Sequence, residues 1–332
     1  MTTPTPGRPK VGVISFAHMH AQSYAGALQT LGVGVAGIHD DDAARGQEQA
    51  RRFGTHFFAD LDALLAESLD GVIVCSENAR HHRHVTAAAR KVPHILCEKP
   101  ISTNLDDARA MISACEEAGS KLQIAFPVRF APPVQKLKSL LEAGTLGRPI
   151  SATCTNHGQM PGGWFIDPEQ AGGGAVIDHT VHVVDVLRWI FGAEVTEVYA
   201  EVGHGLLHDT EIDDAGMLSF KLDNGVYGTL DTSWSRPENY ASWGDVKLEV
   251  LGDRGLVQVD AFEQNLTLTS APAHKTAAVG WGSDADLGLI RDFLEMIQSG
   301  REPSISGEDG LRALEVALAA YRSAETNEPV KL

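Results

Sequence analysis

Cysteine is scarce in this chain, and nowhere does it fall at a redox or metal spacing. The four residues, Cys75, Cys97, Cys115 and Cys154, sit in or beside apolar runs with no CxxC among them. They read as reduced core residues of a cytoplasmic protein and not as a disulfide framework. Positive charge is also short. Twenty-seven Lys and Arg stand against 44 Asp and Glu, a net charge of −17 with no basic cluster, which excludes nucleic acid and anionic membrane as partners. Long apolar runs are absent: the start, MTTPTPGRPK, is polar, and the run after it soon reaches His18, so neither an export signal nor an anchor is expected. There is no internal repeat. What is present is 332 residues, 43% hydrophobic, enough for two domains with proper cores.

From Lys10 the pattern alternates. A short run, VGVISFA, is followed by helical periodicity over HMHAQSYAGALQTLG and a second run, VGVAGIHDDD. Further helices are expected over 43–53, 61–68, 81–91 and 105–118, with strands near 56–58, 71–75, in HILCEKP and over 121–126. Such alternation implies an α/β domain with a parallel sheet, whose ligands bind beyond the carboxyl ends of the strands. After Pro127 the character changes. Helices near 133–141, 286–299 and 310–324 and strands near 150–156, 195–202, 216–222, 226–232, 246–251 and 256–259 suggest an α+β second domain, giving domains of 1–127 and 128–332.

A dinucleotide-binding unit carries G-x-G-x-x-G after its first strand, where glycines let the backbone turn and approach pyrophosphate. Here the three positions are Ser15, Ala17 and His20, none a glycine. Ser15 and Ala17 are small enough for a tight turn, and Phe16 and His18 complete the loop. Asp40, ending the second strand, stands where an acid bonds the ribose hydroxyls and disfavours a 2′-phosphate, pointing to NAD over NADP. Its alternative is a solvated acidic turn with Asp41 and Asp42. His18 and His20 form an H-x-H that also opens the metal site of barrel hydrolases. That reading needs further ligands at later strand ends. His81, His82 and His84 are available but fall in a helix, so no metal is expected.

The stretch GGGAVIDHTVHVVDVLRWIFG puts Asp178, His182 and Asp185 on one helical stripe, among Ile177, Val181, Val184 and Ile190. Buried ionisable groups are costly unless paired or holding a ligand. Either the stripe is catalytic, or Asp178 caps the helix and His182 bonds Asp185. Gly172, Gly173 and Gly174 favour close approach of the backbone to something. Asn156, His157, Trp164 and His179 are candidates to present polar groups and one aromatic face to a polyol, with Trp164 almost as readily core.

CEKP at Cys97–Pro100 together with GGGAVIDHTVHVVD resembles the Gfo/Idh/MocA family, which includes glucose/fructose oxidoreductase and inositol dehydrogenase. The resemblance runs from VGVIS through SGEDGLRALEVALAAYRSA. It implies an N-terminal Rossmann domain and a C-terminal domain on an open, largely antiparallel sheet, one face of which makes a dimer or tetramer contact. It further implies catalytic roles for Lys99, Asp178 and His182, a ribose contact at Asp40, and Arg129 near the domain junction. On this basis Ser15, Phe16, Ala17, His18, Asp40, Ser76, Glu77, Glu98, Lys99 and Arg129 are expected at the cofactor, and Lys99, Asn156, His157, Trp164, Asp178, His179 and His182 at the substrate. Two departures stand out: the missing glycines, and Glu77 where the family has proline. The function implied is hydride transfer between a sugar, cyclitol or related polyol and nicotinamide, with Lys99 steadying the oxygen and His182 as base. The competing readings are a dinucleotide-binding regulator without turnover and, further off, a metal-dependent hydrolase built on His18 and His20.

Overall fold

Short β-branched runs buried on both faces make parallel strands, because helices must cover each side of such a sheet. The computed structural model describes residues 8–240, 242–263, 265–270, 275–280 and 284–332; the first seven residues of the expected polar tail lie outside these. The chain divides into two compact units, 1–126 with 286–311, and 127–285 with 312–332. The sequence suggested one crossing near 127. The segment 286–311 joins the first unit because Phe293, fully buried, packs at Gly71, and Ile124 N–H donates to the Ile305 carbonyl.

The first unit alternates β1 (Val11–Ile14), α1 (His20–Thr30), β2 (Val35–His39), α2 (Ala43–Phe53), β3 (Phe57–Phe58), α3 (Leu61–Leu65), β4 (Gly71–Val74), α4 (His81–Ala89), β5 (His94–Cys97), α5 (Leu105–Ala118) and β6 (Lys121–Ile124). The strands pair in parallel in the order β3-β2-β1-β4-β5-β6. That order reverses between β1 and β4, and the crevice outside their carboxyl ends is where such sheets take ligands. Local signals set the helices. Asp42 caps α2 by accepting from the Ala44 and Arg45 amides, and Gly54 ends it at φ 67°. Asn104 and Gly119 do the same for α5.

The second unit holds α6 (Pro132–Glu142), β7 (Pro149–Gly158), α7 (Pro168–Ala171), α8 (Ala175–Phe191), β8 (Val195–His204), β9 (Asp213–Leu222), β10 (Tyr227–Asp231), β11 (Gly244–Gly252), β12 (Gly255–Asp260), β13 (Asn265–Ser270) and β14 (Lys275–Gly280). Then follow α9 (Ala285–Ser299), α10 (Gly307–Thr326), which crosses the boundary between the units, and β15 (Val330–Lys331). Seven strands form a mixed sheet, β12-β11-β7-β10-β9-β8-β15, in which β7 and β10 run parallel and the other pairs antiparallel. The fully buried Ile177, Val181 and Val183 belong to α8, which packs on this sheet. The hairpin β13–β14 and the terminal β15 carry no pattern strong enough to have been expected. No described helix is long and apolar enough to cross a membrane. All four cysteines are buried free thiols, and burial raises their pKa, to about 12 for Cys115 and Cys154.

Candidate functional site

The turn between β1 and α1 is closed on itself. Ser15 takes φ 69°, the left-handed conformation usually left to glycine, so the first missing glycine is replaced in its role as a turn former. Its N–H donates to the His39 carbonyl, Phe16 N–H to Asp40 Oδ2 at 2.7 Å, Ala17 N–H to Ser15 Oγ, and His18 N–H to the Cys75 carbonyl. Phe16 is buried with its ring stacked on Phe53. These amides are the groups that a glycine fingerprint would turn toward pyrophosphate.

Asp40 is not the solvated acid of an open turn. It is 2% exposed, and its two oxygens accept from Phe16 N–H, Asp42 N–H, Arg45 Nε at 2.9 Å and Arg45 NH2 at 2.7 Å. A carboxylate offers about four lone-pair sites, so those donors fill it. Arg45 lies five residues on, near the start of α2, and the sequence did not mark it as a partner of Asp40. Glu77, expected at the cofactor, is buried and faces arginines, 3.6 Å from Arg80 Nε and 3.9 Å from Arg45. Ser76 is fully buried, with its hydroxyl 2.9 Å from His84 Nδ1.

Beyond the end of β5, Glu98 is fully buried and Lys99 is 4% exposed. Glu98 Oε2 accepts the Lys99 N–H, and Oε1 lies 3.1 Å from His20 Nδ1. His18 Nε2 is 4.0 Å from Glu98 Oε2. Burial opposes ionisation of Glu98, yet His18, His20 and Lys99 hold its pKa well below the carboxylate range. For His20 burial works downward, and the Glu98 charge outweighs it and raises the pKa.

In the second unit, Gly173 and Gly174 approach protein closely. A Cβ on Gly174 would stand 1.9 Å from the Asp213 carbonyl oxygen, and one on Gly173 2.3 Å from the Tyr321 hydroxyl. Asp213 caps α8 from a distance, accepting from the Gly174 and Val176 amides at 2.7 and 2.8 Å and from Tyr321 Oη at 2.9 Å. Asp178 therefore does not cap the helix. It is half-buried, accepts from Trp234 Nε1 at 3.3 Å, and lies 3.4 Å from His179 Nε2. His182, also half-buried, follows one turn on. Asp185 is fully buried and takes a bidentate pair from Arg129, with Nε to Oδ2 at 2.7 Å. Arg129, expected at the cofactor, thus has its guanidinium fork committed to α8. No sequence signal joined these two residues, 56 apart.

His157, expected at the substrate, has both ring nitrogens paired with carboxylates. Its Nε2 lies 3.0 Å from Asp231 and its Nδ1 3.0 Å from Asp245, which also binds Arg236 and Thr155. Burial lowers its pKa, and the hydrogen bonds to Asp231 and Asp245 more than reverse this, to about 9. Asn156 is buried and donates to the Asp245 carbonyl. Trp164 stacks on Phe165 and packs against the core cluster of Ala171, Ala175, Ile212 and Trp234. This is the core alternative for that residue.

Fold and residues together define a class: a dinucleotide-type parallel unit followed by a mostly antiparallel α+β unit. Comparison with known proteins is more specific. Residues 10–126 match the family described as "Oxidoreductase family, NAD-binding Rossmann fold", and residues 134–258 its GFO/IDH/MocA C-terminal domain. A protein of Thermotoga maritima named myo-inositol 2-dehydrogenase is 30% identical, over 97% of this chain and 98% of its own. D-xylose 1-dehydrogenase (NADP(+)) 2 of Haloferax volcanii is 29% identical over 97% and 99%. The solved structure of GenD2 from gentamicin A biosynthesis, in complex with NAD, aligns with TM-score 0.86 at 25% identity, covering 100% of this chain and 99% of that one. The chain belongs to the GFO/IDH/MocA family of oxidoreductases, and its first unit is the family's NAD-binding Rossmann fold.

The family implies a nicotinamide dinucleotide, and the residues fit one. The sheet reverses at β1 and β4, Ser15 keeps the left-handed turn, and a buried acid ends β2. One difference remains: the turn's amides already donate internally, so it offers pyrophosphate fewer backbone donors than a glycine fingerprint does.

Proposed function

We propose that this oxidoreductase is a dehydrogenase of a cyclitol, sugar or related polyol that uses NAD ahead of NADP. The observation that carries the reading is Lys99, held almost fully buried just past β5 in the Rossmann unit of a family whose relatives bear the names of inositol and sugar dehydrogenases. Nicotinamide, when bound, exchanges a hydride with the alcohol carbon. The chain's own groups handle the proton and the oxygen. Lys99 donates to the substrate oxygen and stabilises developing alkoxide charge. His182 takes the hydroxyl proton, since histidine is the side chain whose ordinary pKa lies near neutrality. Asp178 orients a substrate hydroxyl, and its contacts to Trp234 and His179 fix its direction.

The preference for NAD rests on the charge around the end of β2, where Asp40, Asp41, Asp42 and Glu77 outnumber Arg45, Arg80 and Arg83 and disfavour a 2′-phosphate. A homodimer or homotetramer through the open sheet is part of the same proposal, supported by the exposed Met217 and Tyr227 on β9 and β10. So is a cytoplasmic setting, supported by the buried free thiols. The test is titration of the protein with NADH and NADPH, followed by a turnover screen of cyclitols, aldoses and anhydrosugars with the oxidised cofactors. Tighter NADH binding and turnover of at least one polyol are expected. Saturable binding with no turnover across the panel would favour a sensor.

A further inference from the structure

Two groups of side chains in the first unit bring histidine and carboxylate within ligating distance, and they differ in what else surrounds them. In His39–Asp41–His84 the carboxylate is already held by Arg80 at 2.8 Å and Arg83 at 3.3 Å. His84 Nδ1 is bound to Ser76, His39 Nδ1 to the Phe58 carbonyl, and burial takes the His84 pKa down to about 4. Two guanidinium groups on the acid leave no place for a cation.

The other group is His18, His20 and Glu98, whose ligand atoms all lie within 4.8 Å of one another. His18 comes from the turn between β1 and α1, His20 opens α1, and Glu98 follows the end of β5. The carboxylate is fully buried, His18 nearly so, and His20 half-exposed. The H-x-H pattern alone lacks a third ligand at a later strand end, and Glu98 supplies it, where His81, His82 and His84 do not. A cation with ligands at the usual zinc distances sets its donors about 3.3 Å apart, so donors lying within 4.8 Å of one another need to close by at most about 1.5 Å. The charged groups around it are Glu98 and Asp286 against Lys99. A cation bound here replaces the proton shared between His20 Nδ1 and Glu98 Oε1, 3.1 Å apart.

We propose that His18, His20 and Glu98 bind one divalent cation of the zinc class, with a coordination position left for water or another ligand. Two imidazoles and one carboxylate form a borderline donor set suited to zinc or cobalt and poor for calcium or magnesium. The cation clasps the turn after β1 to the end of β5, at the place where a glycine fingerprint would otherwise shape the turn. The site is independent of which polyol is oxidised, and of whether any is.

The test uses the full untagged chain, stripped with a chelator and titrated with Co2+ and then Zn2+. One Co2+ per chain is expected, with a visible d–d absorption that Zn2+ abolishes. His20→Asn, which changes a half-exposed ring and threatens folding least, should weaken Co2+ binding more than about 100-fold, and Glu98→Gln likewise. His84→Asn should leave it unchanged. Absence of stoichiometric Co2+ and Zn2+ binding overturns the proposal. So does wild-type affinity in His20→Asn, or loss of binding in His84→Asn.

Discussion

Two regions use the same side-chain chemistry to opposite ends. Around His157 in the second unit, one imidazole meets two carboxylates, and Arg236 and Thr155 complete the set. Around Glu98 in the first unit, one carboxylate meets two imidazoles and no guanidinium. The first arrangement is closed: charge is balanced within the protein, and both ring nitrogens have partners. The second converges on one point, with two imidazoles and Lys99 around a single buried carboxylate. A histidine beside an acid therefore says little about function until the remaining partners of each are known.

The largest effect should fall on catalysis. His182→Ala and Lys99→Ala are each expected to lower kcat by about 10²–10⁴-fold with the fold intact, measured by steady-state turnover of the polyol found in the screen. His157→Gln should leave turnover near wild type at temperatures well below unfolding. A loss of turnover there comparable to that of His182→Ala would erase the distinction between the closed and the functional histidines.

Next comes packing at the glycines. Gly174→Ala puts a Cβ 1.9 Å from a backbone oxygen, and should destabilise the protein by about 3 kcal/mol in a denaturant titration. Little change would mean that the α8 terminus yields and that Asp213 does not fix it.

The His157 network predicts a pH dependence whose sign follows from linkage. Its pKa is raised on folding, so its stabilisation is full below about pH 6.5, the unfolded value, and disappears as pH rises through about 9. The expected loss is on the order of 1–2 kcal/mol once solvent screening of this partly exposed group is allowed for. Thermal unfolding between pH 6 and pH 10 would show it as a falling alkaline limb, shallower in His157→Gln. An identical limb in the variant would place the stabilisation elsewhere.

The smallest effect concerns the ribose acid. Asp40→Ala should shift the ratio of NADH to NADPH affinity toward NADPH by about tenfold, roughly 1.4 kcal/mol. No shift in parallel fluorescence titrations would mean that pairing with Arg45 has already cancelled the discrimination.

How far the sequence was legible depended on the distance between partners. The limits of α2 and α5 could be read because Asp42 and Gly54, and Asn104 and Gly119, act within a turn of where they stand. The β1-to-β6 alternation was equally open, being a matter of local period. The N-terminal cap of α8 was not: Asp213 lies 37 and 39 residues from the amides it accepts, and Tyr321 is 144 from Ile177. The same distance hid what the backbone approaches at Gly173 and Gly174, namely Tyr321 and Asp213. It hid the partners of His157, separated by 88 residues from Asp245, and of Arg129. Residue types showed where charge was buried, while tertiary pairing decided what it was for.

The central claim is hydride transfer between a polyol carbon and nicotinamide, and isotope transfer tests it most directly. The protein would be incubated with NAD+ and a polyol deuterated at the carbon that is oxidised, and the reduced cofactor examined by mass spectrometry and NMR. Deuterium at C4 of the nicotinamide ring, appearing in step with the ketone, is the predicted result. Ketone formation without label in the cofactor, or no reduced cofactor from any polyol of the panel despite saturable NADH binding, would contradict it.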